Sequence, residues 1–459
     1  MERLRPTTCL TRSLHLNQSV YAGNGSTRPC LIDIAQALPV ASTGTNMNES
    51  YWIAGIDIHK SMLAVVIADA AEGEFRFERR KFGTLGTDLD ELSAWLGERG
   101  VREVVMESTA LYWKPIWRRL EEQCKLHLAQ AHSNRAPRGR KRDFQDAERL
   151  VRRFLASELI LSFVPDSDQR LWRTLTRAKH QLTRDRVRLY SQVESLLEDA
   201  RIKLSTCVSD LFGVSSRRIL HGLAQGATDP AALAGMAEPE LQVTPLQLAN
   251  ALSAAPTMNP MHRQILNLFL QRLELVEQQM ATLRLHIAAS LDAHQQAVVR
   301  LAAVPGYGID SAQQVIAEVG PQAATFDSPE QLASWVGVCP GREESAEVSR
   351  SNRTPKGNRA MRRVLNQVAN AAVKTRGSKF QLIYRRFLPR LGHNRAIWAI
   401  AHRLCRLTWK ILRQGAAYIE YGELPNPKRL RARVAKFTRE LRALGYHVIP
   451  PAPAPGSSV

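Results

Sequence analysis

Apolar positions first fall into a regular pattern at Tyr51. Residues 52–58, 63–68 and 74–78 read as three strands. Residues 88–99 carry the period of an amphipathic helix, 102–106 a buried strand, and 112–122 a second helix. Three adjacent strands followed by helix, strand and helix predict a mixed α/β sheet domain ending near Pro165.

The period then changes. Leu175, Leu182, Leu189 and Leu196 recur every seven residues, and Phe269, Leu273, Val276, Met280, Leu283 and Ile287 alternate spacings of four and three. Both are coiled-coil seams, able to pair with each other or with another subunit. The turn-rich stretch 205–260 between them predicts an extended helical hairpin. A third region opens on Leu301-Ala-Ala-Val-Pro-Gly-Tyr-Gly-Ile309 and a helix over 311–319. The expected class is therefore α/β plus mainly α. The expected division is a disordered or weakly ordered extension over 1–50, a sheet domain over 51–165, and a helical coiled-coil or linker region over 166–297. A helical C-terminal domain over 298–415 and a basic tail over 416–459 complete it. Met47, just before the first strand, is an alternative translation start.

Charge sharpens this picture. The chain has 63 Lys+Arg against 43 Asp+Glu, a net +20. Between Glu347 and Glu420 there is no acid, and that stretch holds 17 of the basic residues. Helices that are basic on every face repel themselves unless phosphates neutralise them, so the partner expected is nucleic acid. A second basic run lies over 428–442. No apolar run reaches the roughly 18–20 residues of a membrane span, and the first thirty residues lack a signal-type apolar core. A cytoplasmic, nucleoid-associated protein with no membrane partner is the expectation. The six cysteines form no Cys-x-x-Cys pair, which argues against a disulfide scaffold or a structural zinc site.

Four carboxylates stand out. Asp57 in Gly55-Ile-Asp-Ile-His-Lys60 and Glu107 in Val104-Val-Met-Glu-Ser108 each end a predicted strand. Asp143 and Asp146 are spaced i, i+3, on one helical face. Together they are suited to a pair of hard cations such as Mg²⁺, which takes oxygen ligands and works on phosphates. Taken singly, Asp57 reads equally as a strand-end turn former, and Asp143 as a helix cap. Pro305-Gly-Tyr-Gly308 reads either as the hairpin of a helix-hairpin-helix or as a plain helical turn. Ser345 lies in a polar loop with no histidine near it in sequence, and on spacing alone it is a loop serine.

The combination resembles one transposase family. Gly-Ile-Asp57-Ile-His-Lys, Met-Glu107-Ser-Thr and Gly-Arg-Lys-Arg-Asp143-Phe-Gln-Asp146-Ala-Glu are similar to the DEDD signature of the insertion-sequence family numbered one hundred and ten. Pro305-Gly-Tyr-Gly, the run from Phe326 to Pro340, and Pro-Lys-Gly-Asn-Arg359 with Arg362 and Arg363 match its C-terminal part. The segments around Ile202-Lys-Leu-Ser and Asp210-Leu-Phe-Gly-Val are similar too, so the resemblance covers about residues 52–415.

The resemblance implies a RuvC-like, RNase-H-type sheet domain whose Asp57, Glu107, Asp143 and Asp146 bind Mg²⁺. It implies a C-terminal serine, Ser345 by position, that attacks the DNA backbone and forms a transient phosphoserine link. Here Ala346 follows, where the family has glycine, and Ser349 and Ser351 are the other serines in the segment. It also implies DNA partners at element ends and target, a structured noncoding bridge RNA as guide, and a homo-oligomer, dimer or tetramer, with shared sites. Arg350, Arg353, Lys356, Arg359, Arg362 and Arg363 are the nearby cations expected to meet nucleic acid. The rival readings are a Holliday-junction-type nuclease that activates water, and a nucleic-acid-binding protein that has lost catalysis.

Overall fold

Strict alternation along β1 (Trp52–Ile58) decides how the first part of the molecule is layered. In a computed structural model, Ala54, Ile56 and Ile58 point to one face of a sheet, and Ile53, Gly55 and Asp57 to the other. The structure describes residues 51–70, 76–107, 110–131, 133–134, 142–339, 343–345, 348–351, 354, 356–420 and five positions between 435 and 442. The expected extension over 1–50 and most of the basic tail therefore lie outside the described residues. The chain divides into units Met1–Ser42 and Thr43–Val459, and every described residue belongs to the second.

The sheet continues with β2 (Leu63–Asp69), β3 (Glu78–Phe82), β4 (Glu103–Glu107), β5 (Lys125–Ala129) and β6 (Leu161–Ser162), in the order β3-β2-β1-β4-β5-β6. The pairs β1–β4 and β4–β5 are parallel, and the other three are antiparallel. Helices α1 (Gly86–Glu98) and α2 (Trp113–Leu120) cover the first face, burying Leu92, Leu96, Ile116 and Leu120 against Ala54 and Ile56. On the second face, α3 (Asp143–Leu155) sets Ala147, Leu150 and Val151 over Ile53, Val66 and Val105.

Two expectations change here. The third strand is Glu78–Phe82 rather than 74–78, of which 74 and 75 lie outside the described residues. It is an edge strand, and an edge accepts a run of cations that a central strand would not. The sequence reading also missed β5, a short strand whose central His127 sits on Glu103 of β4 (2.7 Å).

After the sheet the chain is helical: α4 (Ser167–Asp199), α5 (Leu204–Cys207), α6 (Val214–Ala224), α7 (Pro230–Ala234), α8 (Pro245–Ala251) and α9 (Pro260–Ser290). The long helices α4 and α9 run antiparallel. Trp172 Nε1 donates to the carbonyl of Ser290 at one end (3.1 Å), and His262 meets Asp199 at the other (3.2 Å). The two helices thus pack on each other within one chain.

Their buried positions only partly coincide with the heptads. Of the four repeated leucines in α4, Leu189 alone is buried, with Val193 and Leu197 beside it. The first half of α4 instead lies on the C-terminal part, with Trp172 and Leu175 against its apolar core, the buried Lys179 paired with Asp310 and Arg177 gripping the buried Glu318. In α9 the interval of seven holds, with Leu266, Leu273, Met280 and Ile287 buried.

The C-terminal part comprises α10 (Gln295–Ala302), α11 (Ile309–Val319), α12 (Pro329–Val336), the hairpin β7 (Glu343–Ser345) and β8 (Val348–Ser351), α13 (Arg359–Lys374) and α14 (Lys379–Gln414). Gly392, at φ 71°, breaks α14 into two pieces. The turn between α10 and α11 backs onto α13. A Cβ on Gly306 would lie 2.6 Å from the amide nitrogen of Ala372, and its φ of 90° is one that side chains disfavour. Tyr307 next to it is a core residue, bonded to Thr408 (2.7 Å).

Glu318 ties three elements together. Arg177 of α4 donates to both its carboxylate oxygens (2.8 and 2.9 Å), and Asn358, which caps α13, donates to Oε2 (3.0 Å). The segment carrying the hairpin is closed at its base. Asn358 N bonds the carbonyl of Trp335 (3.1 Å), and Gly357 lies so close to Gly337 that a Cβ would stand 2.5 Å from its nitrogen.

Candidate metal centre

Asp57, one residue before the end of β1, and Glu107, at the end of β4, lie on neighbouring parallel strands that pair as far as Ile56 opposite Met106. Alternation puts both on the face covered by α3, since Ile53 and Val105, each an even number of residues away, pack beneath that helix. α3 crosses β1 at Gly55, where any side chain would collide with the Ala147 carbonyl and stand 2.8 Å from Val151 Cγ2. This close crossing brings the first turn of α3, with Asp143 and Asp146, to the strand ends.

The four acids are held in two linked pairs. His59 Nε2 lies 3.1 Å from Asp57 Oδ2 and 3.3 Å from Asp143 Oδ1. Ligand atoms of Asp57, His59 and Asp143 all fall within 4.8 Å of one another. On the other side, Asn134 Nδ2 donates to Glu107 Oε2 (2.9 Å), and Arg149 donates to both Asn134 Oδ1 and Asp146 Oδ1. Asp146 is 4% exposed, and its Oδ2 is buried without a hydrogen-bond partner among the described residues. A buried carboxylate oxygen left bare is costly unless a cation meets it. The donor set is rich in carboxylate oxygen, which suits a hard divalent ion.

Three of these residues escaped assignment from sequence. His59 follows Asp57 by two positions and was visible in the motif. Arg149 stands three residues past Asp146, on one helical face with it. Asn134 carries no local signal: it follows β5 and meets Glu107 across 27 residues.

Of the C-terminal residues, Ser345 ends β7 and is paired with Val348, with two residues between the strands. Arg350 lies on β8, and Arg353 is outside the described residues. Lys356 and Arg359 are exposed. Arg362 and Arg363 are half-buried and engaged internally. Arg362 bonds the Gly337 carbonyl and Thr354 Oγ1 and stacks on Trp398, 4.6 Å from the ring centre. Arg363 donates to Gln314 Oε1 (2.8 Å), and burial holds its guanidinium below the ordinary range.

Comparison with known proteins gives two family matches. Residues 54–202 match the DEDD transposase model of the IS110 group, and residues 299–385 match the model described as the transposase IS116/IS110/IS902 family. A relative, the insertion element IS900 uncharacterized 42 kDa protein of Mycobacterium paratuberculosis, is 27% identical over 126 residues. That alignment covers 27% of this chain and 31% of the relative's length.

Proposed function

This chain belongs to the IS110 family of DEDD transposases, and on that footing we propose that it cuts and rejoins DNA to mobilise its own insertion sequence. The observation that carries the reading is that two strand-end acids and the first turn of α3 are joined as Asp57–His59–Asp143 and as Glu107–Asn134–Arg149–Asp146, with a buried Asp146 oxygen that has no hydrogen-bond partner among the described residues. Asp57, Glu107, Asp143 and Asp146 would hold the metal, with Mg²⁺ the ion expected. A bound divalent ion supplies Lewis-acid polarisation of the scissile phosphate and eases ionisation of the attacking hydroxyl.

The chain's own residues fix where those oxygens stand. Arg149 occupies Oδ1 of Asp146, Oδ2 is buried with no partner among the described residues, and Asn134 orients Glu107. In our reading Ser345 is the nucleophile. Its oxygen bonds to phosphorus as the bond to one sugar oxygen breaks, and the proton it loses ends on that sugar hydroxyl. Attack by a sugar hydroxyl of a second strand reverses the exchange, so no external energy source is needed. The proposal includes a structured bridge RNA as guide and an oligomer in which the acidic and serine sites come from different subunits. The functional parts are then 51–165 for the acids, 166–297 as the helical linker and 298–415 for the serine.

The test is adduct trapping. Full-length protein with element-end DNA and Mg²⁺ should give a covalent protein–DNA species under denaturing electrophoresis. Ser345→Ala and Asp57→Asn should each abolish it while DNA retention persists, and a mixture of the two variants should restore part of it. An adduct that persists in Ser345→Ala, or maps to Ser349 or Ser351, rejects the serine assignment. Near-normal recombination by Asp57→Asn rejects the metal site.

A further inference from the structure

A cleft of about 440 Å³ opens beside the carboxylates, lined by Arg79, Lys81, Arg142, Asp143, Phe144 and Gln145. Three of its six residues are cations and one is an acid. That acid, Asp143, also belongs to the group it forms with Asp57 and His59, so the cleft and the candidate metal centre share a wall.

The cations face that centre by construction. In β3, Arg79 is opposite Val66 and Lys81 opposite Ala64. Val66 packs under α3, so Arg79 and Lys81 rise from the same sheet face as Asp57 and Glu107. Arg80, between them, turns to the other face, where it meets Glu91 of α1. Two contacts fix the cleft's shape. Arg79 Nε lies 2.7 Å from Glu148 Oε1, and Lys81 Nζ stands 5.7 Å from the centre of the Phe144 ring. Arg142 closes the third side at the start of α3 and is exposed.

A centre made of carboxylates repels a polyanion. A phosphodiester reaching it needs compensating cations alongside, and those must stand clear of the metal-binding oxygens. From this we infer that the Arg79–Lys81–Arg142 cleft binds the backbone phosphates of the DNA strand that lies across the candidate metal centre, next to the phosphate being cut. The inference rests on the reading of that centre given above. The competing account is that β3 carries cations only to keep a sheet edge from pairing with other chains.

Salt dependence of binding separates the two accounts. Each phosphate contact contributes about −0.9 to the slope of log affinity against log salt concentration for B-DNA. With full-length protein and duplex element-end DNA, Lys81→Gln and Arg142→Gln should each flatten the slope by about 0.9, and together by about 1.8. Lys81→Arg should restore the slope. Arg142→Gln precedes α3 and leaves β3 intact, so it tests the cleft even where a Lys81 variant disturbs the edge strand. An unchanged slope in the double variant, with its thermal melt intact, overturns the proposal and leaves edge protection as the role of these cations. A change seen with an RNA duplex of the same sequence but not with DNA overturns it as well. Failure of the metal-centre reading would show differently, as near-normal recombination by Asp57→Asn while the slopes still flatten.

Discussion

Gly55 lies directly beneath Ala147, with no space for a side chain between strand β1 and helix α3. The helix carries Asp143 and Asp146, the strand carries Asp57, and the distance between them depends on this bare backbone crossing. Gly55→Ala forces the helix outward by overpacking, at a cost of about 1–3 kcal/mol. A displacement of well under a helical turn is enough to spoil a metal geometry. The expected outcome is a protein that melts a few degrees lower yet loses nearly all adduct formation. A variant that is destabilised but fully active would show that α3 does not set the acidic site.

Asn134 links Glu107 to Asp146, by way of Arg149, within one half of the acidic cluster. It is 3% exposed, donates to Glu107 and accepts from Arg149, which in turn holds Asp146. Asn134→Ala leaves both neighbours short of a partner, at about 1–3 kcal/mol for each unsatisfied buried group. Outer-shell partners of metal ligands typically affect affinity 10–100-fold, so Mn²⁺ affinity measured by calorimetry should fall by about that factor. Unaltered Mn²⁺ affinity in a folded variant would make Asn134 a packing residue only.

Glu103 gives the fold an acid-sensitive joint. The hydrogen bond from His127 is the largest influence, aided by Tyr51 and Lys125 and opposed by burial, and it draws the carboxyl down to about 2 from an ordinary 4.5. Because the folded value is depressed, the ionised carboxylate stabilises the fold above pH 4.5, and that contribution is lost as pH falls from 4.5 toward 2. Glu103→Gln should therefore lower the urea midpoint at pH 7, and the gap to the parent protein should narrow between pH 4.5 and 3. A gap independent of pH would mean that shape, not charge, holds β4 to β5.

What the sequence made legible follows from how each element is buried. β1, β2 and β4 are covered on both faces and show as apolar runs, and their strand-end acids were visible for that reason. β3 is written in charge, Glu-Arg-Arg-Lys, because only one of its edges is paired. β5 is five residues long and half polar, and missing it meant missing Asn134 just beyond it. The leucine heptad of α4 was real in sequence but does not mark one interface. Lys179 and Arg177 on that helix meet Asp310 and Glu318 of α11, Trp172 and Leu175 pack on the C-terminal core, and Leu189 onward packs on a separate apolar cluster. A periodic pattern registers apolar spacing and is blind to a buried charge.

Arg359 and Arg362 stand one turn apart on α13 and should behave oppositely. Arg359 is exposed at the start of the helix, so its charge is available to phosphate. Arg362 is enclosed by the Gly337 carbonyl, Thr354 and the face of Trp398, and it helps hold the base of the segment that carries Ser345. Arg359→Gln should flatten the salt slope of duplex binding by about 0.9 and leave the melting temperature unchanged. Arg362→Gln should leave the slope nearly unaltered. It should cost about 1–3 kcal/mol, since it strips a charged donor from a buried carbonyl and a stacking partner from an indole. Denaturant melts and salt titrations on the two variants check both halves at once. Equal slope changes in both would place Arg362 on nucleic acid rather than in the scaffold.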